Sequence, residues 1–369
     1  HSMAIGITPP SLQILRRFGL DLEFIRCGVR IETAKVHEEE EDLGEVSFAD
    51  LPSAYRFILS LPQSTTIRLL QENLRRFASI ELRGGVEFRS LEQTPGQVRV
   101  RLRDTGGRTE CEVRSRYFVG CDGHRSAVRD ALDMPARTKV YRPKFLMGDF
   151  EDSSGLGNEA HLFFGPEASI ESFPLPGGIR RWIILDRGDE SLDETARLLK
   201  TVRRLTGFDL SKSSRLFVSG FQPKRLLASR FRRSRVLLCG DAAHVMSPIG
   251  GQGMNTGFAD AELLGETLAR VLEDESTAEA RFAYYECVRR KAFRVAAARA
   301  ARGMWLGTRT GMIGSLFRKT VLRHVLFRQP LRAKLPSYFA MLTLPDSQPR
   351  LVLGIGSNLS RCFREGGGL

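Results

Sequence analysis

The sequence predicts an α/β protein built from two interleaved parts and closed by a C-terminal helical region. Three observations carry that reading. Two short apolar strands, Arg116 to Cys121 and Arg235 to Cys239, each run directly into an aspartate and then a turn of small residues leading to a helix. Between them, residues 140–220 alternate apolar and polar positions in the manner of antiparallel strands. Residues 276–342 then read as helical, basic and rich in Met, Phe and Trp. A chain of 369 residues that is 42% hydrophobic and 27% charged can bury a sizeable core.

Charge and cysteine usage narrow the function. The net charge is +13, with arginine far outnumbering lysine. No zinc finger, RNP signature or helix-turn-helix accompanies it, so nucleic acid is not expected as a partner. The cysteines at 27, 111, 121, 239, 287 and 362 have no C-x-x-C spacing, which argues against a zinc or dithiol site and for a reducing, cytoplasmic setting. No apolar run approaches the roughly 18 residues of a membrane span. The basic helical tail, with Trp305, Met312, Phe317 and Phe327 among Arg and Lys, suits packing on the core and also suits contact with the inner face of a membrane.

In chain order, His1-Ser2-Met3 reads as a non-native addition, and no signal peptide follows. Ser11 is expected to cap a helix over 12–18 that stops at Gly19. Residues 21–60 read as short strands and turns, with Glu38 to Asp42 as a solvated acidic loop. Gln63 to Phe77 reads as a helix with Ile67, Leu70 and Leu74 on its buried face. Residues 86–113 read as a three-stranded meander turning at Thr105-Gly106-Gly107. A helix over 126–132 follows the first aspartate, and another over 193–206 should pack beside the antiparallel block.

The two strand-to-aspartate junctions carry the chemistry. The first reads Cys121-Asp122-Gly123-His124-Arg125-Ser126-Ala127-Val128-Arg129. The second reads Gly240-Asp241-Ala242-Ala243-His244-Val245-Met246-Ser247-Pro248-Ile249-Gly250-Gly251-Gln252-Gly253-Met254-Asn255. A carboxylate at a strand end suits a sugar hydroxyl. Glycines let backbone N–H groups approach a flat or anionic ligand, and a helix N-terminus adds positive potential. A dinucleotide is therefore expected to lie with a sugar on Asp241 and its ring against 248–255.

These two stretches resemble the D-G and G-D motifs of the FAD-dependent aromatic hydroxylases, the single-component flavoprotein monooxygenases similar to p-hydroxybenzoate hydroxylase. The segments Ile7-Thr8-Pro9 to Leu20 and Leu61-Pro62-Gln63-Ser64 to Leu70 match that family in order and position, so the likeness spans roughly 4–300. The resemblance implies a three-layer β/β/α, Rossmann-like FAD-binding domain over 4–139 and 221–275. An antiparallel substrate domain would occupy 140–220 with part of 40–60, helices 276–345, and a tail the rest. It implies FAD as cofactor and NAD(P)H and O₂ as co-substrates. The reaction would be hydroxylation through a flavin C4a-hydroperoxide, the flavin doing the difficult step.

By the same resemblance, Asp241 and Gly240 would hold the FAD sugar or ribitol hydroxyls and Gln63 would lie near the ribose. Asp122, Gly123 and Arg125 would sit near the pyrophosphate. Pro248, Gly251, Gly253, Met254 and Asn255 would line the ring, with His244 structural or at the flavin edge as a candidate base. Phe145, Met147, Phe163, Phe164 and Phe173 would favour an aromatic or polycyclic, lipophilic substrate.

One departure stands out: the family's opening strand, G-x-G-x-x-G and helix are absent from this sequence. They are expected to belong to the native protein, leaving a break between Met3 and Ala4. Gly354-Ile355-Gly356 only mimics that unit, since eleven residues follow Asn358. Among relatives on this scaffold, a flavin-dependent reductase of a prenyl or lipid-like substrate remains an alternative. A halogenase is the other, although its W-x-W-x-I-P motif is missing.

Overall fold

The computed structural model describes residues 4–345 apart from positions 40, 108 and 190. The Met3–Ala4 junction and the segment around Gly354 lie outside the described residues. Three layers surround the two strand ends. A meander of Val86–Gln93, Val98–Asp104 and Glu110–Ser115 forms the outer layer. The middle layer is the parallel pair Phe118–Gly120 and Val236–Leu238, with Arg232–Arg233 on its edge. The helices Gln252–Glu273 and Ala278–Gly307 form the third. Val98, Val100, Val236, Leu237, Leu238, Val271, Phe282 and Tyr285 join these layers in one core.

The second part is a seven-stranded sheet. Its order is Arg215–Phe221, Lys144–Glu151, Ile179–Asp186, Ser169–Leu175, Ala160–Phe164, Thr33–Glu38 and Glu41–Ser47. Every pair is antiparallel except Ala160–Phe164 with Thr33–Glu38. One face carries Leu146, Phe150, Phe163, Ile170, Trp182 and Ile184 and packs on the helix Glu194–Thr206. Asp193 caps that helix and Gly207, at φ 76°, ends it. The other face looks towards the three-layer part and the C-terminal helices.

Four local expectations give way to tertiary context. Thr8, not Ser11, precedes the first helix, Pro9–Arg17, because two prolines at its start need no amide partner. Ser11 instead hydrogen-bonds Asn255 at 2.8 Å. Asp21–Cys27 is a helix, anchored by Phe24 in the core beneath it. The helix Gln63–Leu74 buries Thr66, Leu69 and Asn73 and leaves Ile67 exposed. The acidic run is not a solvated loop, since Glu38 ends a strand, 3% exposed, against Arg318.

His37 and His161 stack within the large sheet, with His37 Nε2 2.9 Å from His161 Nδ1. Burial, and then the neighbouring His37, hold the His161 pKa down to about 4. The neutral ring is therefore favoured in the folded state, whereas an unfolded histidine titrates near ~6.5. Stability from this group is full above that value and is lost as pH falls towards 4, up to about 3 kcal/mol. His161→Gln is expected to flatten the stability-versus-pH curve between those limits in urea titrations. Parallel curves for variant and parent would show that His161 does not carry the slope.

Candidate functional site

The two aspartate-bearing strand tips lie side by side. Their strands run parallel, Leu238 opposite Gly120, and the Cys239 N–H donates to the Gly120 carbonyl at 3.0 Å. Arg129, 6% exposed, ties the turns together by donating to the carbonyls of Ala242 and His124, both at 3.1 Å. Gly120 is needed for close packing: a Cβ there would lie 2.8 Å from Val128 and 3.1 Å from Leu238.

The two carboxylates do different work. Ser126 is the N-cap of the short helix Ala127–Ala131, accepting the Arg129 N–H at 2.9 Å, and Asp122 completes the cap by accepting from the Ser126 hydroxyl at 2.5 Å and the Val128 N–H at 3.0 Å. The Asp241 carboxylate has no hydrogen-bond or ion-pair partner among the described residues. Burial pushes its pKa up, against His244, His124 and Lys224. Arg125 and Lys224 likewise make no hydrogen bond or ion pair among the described residues. Burial and then Arg125 lower the Lys224 pKa. Gly123 and Gly240 both have positive φ, 78° and 60°, and a Cβ on either would point into open space. The tips thus present a free carboxylate, two free cations and an open cradle of backbone.

The glycine bed ends in Gly250 and Gly251, at φ 83° and 65°. The helix that follows starts with no acidic residue in its first turn, leaving its positive end uncompensated. Gln252, 2% exposed, has a buried carbonyl oxygen with no donor among the described residues. Asn255 holds the bed in place. Its oxygen accepts from the Thr8 N–H and the Ser11 hydroxyl at 2.9 and 2.8 Å. Its amide donates to the Gly6 and Gly251 carbonyls at 2.9 and 2.8 Å. Met254 packs on the Ile7 and Leu12 cluster, and Pro248 accepts the Gly251 N–H through its carbonyl at 2.9 Å. A Cβ on Gly253 would meet nothing within 4 Å.

His244 is 2% exposed and bonds Asp260 at 2.7 Å through Nε2. Asp260 also accepts from Arg289 at 2.5 Å. Burial drives the Asp260 pKa up, but His244 and Arg289 outweigh it and hold the carboxyl below its usual range. The structure therefore places His244 inside a buried ion cluster that pins the turn to two helices. Gln63 is the first residue of its helix, half-buried.

Sequence reasoning missed Lys224, which reaches the tips from the strand Lys224–Ala228. It also missed the Asp260–Arg289 pair, 29 residues apart on two helices. Neither belongs to a local motif. A small sheet of Ala136–Val140, Lys224–Ala228 and His244–Val245 brings Lys224 in. Ile249 of the glycine bed packs against the cluster of Phe145, Leu185 and Met304, so the bed faces the large sheet.

The family profile described as "FAD binding domain" matches residues 1–300. Pentachlorophenol 4-monooxygenase of Sphingobium chlorophenolicum is 30% identical over 284 residues, covering 74% of this chain and 52% of that protein. Rifampicin monooxygenase of Streptomyces venezuelae is 31% identical over 279 residues, covering 73% of this chain and 56% of that protein. The chain thus spans about half the length of these curated relatives. Among solved structures, CabE, an aromatic hydroxylase from angucycline biosynthesis, superposes with a TM-score of 0.74 at 26% identity, covering 93% of this chain and 69% of that one. The p-nitrophenol 4-monooxygenase PnpA of Pseudomonas putida shares the fold with a TM-score of 0.84 at 21% identity, covering 93% of this chain and 89% of that one. No helix among the described residues is long and apolar enough to cross a membrane.

Proposed function

The chain belongs to the FAD-binding-domain family, and from that premise we propose that it serves an NAD(P)H- and O₂-dependent hydroxylation of an aromatic or polycyclic substrate. One observation carries the reading: paired strand tips with an unpartnered carboxylate open onto a glycine bed that faces an apolar sheet. Those residues fit the cofactor. The open positions of Gly123, Gly240 and Gly253 are a cradle that side chains would fill, and Gln252 leaves a buried acceptor unused.

Asp241 would accept hydroxyl donors of the sugar or ribitol. Arg125 and Lys224 would neutralise phosphate, with Asp122 and Gly123 shaping that turn. Gln63 would reach the ribose side, and Pro248 to Asn255 would support the ring through backbone groups. Bound FAD would supply electron transfer from the nicotinamide and activation of O₂. His244, bonded to Asp260, would act by holding the turn in place. The cofactor part is assigned to 4–139 and 221–275, less the strands Thr33–Glu38 and Glu41–Ser47, which complete the substrate sheet.

Asp241→Ala is expected to weaken FAD binding about 10- to 100-fold, since a lost charge-assisted hydrogen bond is worth roughly 1.5–3 kcal/mol. The urea midpoint should hardly move, because no internal partner is lost. Titration by flavin fluorescence quenching checks both. Equal FAD affinity in parent and variant would remove Asp241 from the site. The reaction is tested by screening phenols and polyketides for stimulated NAD(P)H oxidation, with product mass raised by one oxygen. A protein carrying the G-x-G-x-x-G unit that binds FAD yet shows no substrate-stimulated NAD(P)H oxidation with any phenol or polyketide sinks the reading.

A further inference from the structure

The site-facing side of the large sheet is apolar along much of its centre, interrupted by the paired Asp149 and Arg181 and by Glu171. Glu171 stands on the strand Ser169–Leu175, opposite Leu162 on one side and Ile183 on the other. Leu162 packs with Val36, Phe164 and Leu322 under the C-terminal helices. Ile183 packs against the cluster of Phe145, Leu185 and Met304, against which Ile249 of the glycine bed also packs. Glu171 therefore stands on the sheet face turned to the bed, between two apolar clusters.

Its carboxylate has no hydrogen-bond or ion-pair partner among the described residues. Arg181, on the same face of the adjacent strand, pairs with Asp149 through contacts of 2.6 and 2.7 Å. Glu171 is nevertheless only half-buried. Burial alone pushes its pKa up to about 7, with no charged group bearing on it.

An unpaired carboxylate on an apolar wall is costly unless it has a task. A cationic ligand would have to shed its hydration to reach this wall, whereas a neutral hydroxyl on an aromatic ring would not. We propose that Glu171 is the anchor for a phenolic hydroxyl of the substrate, accepting its hydrogen bond and, when the phenol ionises, its proton. In that step the phenol O–H bond breaks, a carboxyl O–H bond forms, and the phenolate keeps the electron pair. The inference rests on the aromatic-hydroxylation reading and names the substrate class for it.

The sign of the pH effect follows. Below about 7 the carboxyl is protonated and a poorer acceptor, and above it the carboxylate is the stronger one.

The test compares 2-naphthol, a phenol that stays neutral across this range, with naphthalene, which lacks the hydroxyl. Binding is measured by equilibrium dialysis at pH 5.5 and 8 for the parent chain, Glu171→Gln and Glu171→Leu. No FAD is added, so the outcome is independent of flavin binding, which tests the aromatic-hydroxylation reading separately. The parent should favour naphthol over naphthalene about tenfold more at pH 8 than at pH 5.5. Both variants should keep the naphthalene affinity and lose the pH-dependent preference. Retention of naphthalene binding shows that the variants are folded. Equal binding of the two probes by the parent at pH 8, a preference that survives in Glu171→Leu, or no binding of either probe to the parent overturns the assignment.

Discussion

Asp260→Ala is expected to destabilise the chain by about 3–5 kcal/mol, the cost of breaking a buried ion pair from one side. Asp260 is 1% exposed and accepts from both His244 and Arg289. Its removal leaves Arg289, 3% exposed, with only the Thr256 carbonyl at 3.2 Å among the described residues. An uncompensated guanidinium at that depth has to find water or move, and either costs packing around Phe293, whose ring lies 4.8 Å from that of His244. Urea denaturation should show a lower midpoint with little change in slope. The double variant Asp260→Leu with Arg289→Met should recover most of the loss, because no charge is then stranded. A loss below about 1 kcal/mol in the single variant would show that the cluster contributes little. FAD affinity should fall with it, since the cluster fixes the turn that carries Asp241.

Arg318→Leu is expected to cost a similar amount, about 3–5 kcal/mol, but locally. Arg318 is fully buried on the helix Gly311–Val321. It donates to Glu38 at 2.6 and 3.1 Å and to the Gly165 carbonyl at 3.0 Å, and lies 4.8 Å over the Phe164 ring. The substitution leaves the Glu38 carboxylate, 3% exposed, to the Ser315 hydroxyl without its guanidinium, and removes one buried link between this helix and the large sheet while the Lys319–Glu41 pair remains. Hydrogen exchange should therefore rise first in 311–326, ahead of the sheet. Glu38→Gln combined with Arg318→Leu should be less damaging than Arg318→Leu alone. Uniform exchange across the chain would refute a local role. Met312, Ile313 and Leu316 on that helix are exposed, so polar ties, Arg318 and Ser315 to Glu38 and Lys319 to Glu41, do more to hold the helix down than burial of its apolar face.

These buried charges mark where sequence reading stops. Glu38 sits in a run of five acidic residues, and locally that composition signals a solvated loop. Its partner lies 280 positions away. Ile67 looked like part of an apolar stripe, yet the helix turns Thr66, Leu69 and Asn73 inwards because the neighbouring core lies on that side. Glu171 read as one polar position in an alternating strand. Only the register that sets Leu162 and Ile183 beside it makes it an isolated carboxylate on an apolar wall.

By itself the sequence determined the family likeness, the three-layer and antiparallel parts, and the two strand-to-aspartate turns. The antiparallel part and the turns depend on periodicity, glycine placement or capping within a few residues, which local chain stereochemistry dictates, whereas the three-layer part followed only from the family likeness. The tertiary structure alone decided that the two tips stand side by side and that Asp122 is spent as a cap while Asp241 is free. It alone also locked His244 into an ion cluster and left Glu171 without a partner. Those outcomes depend on strand register and helix docking between residues far apart in the chain, and desolvation and charge pairing are set only once those surfaces meet.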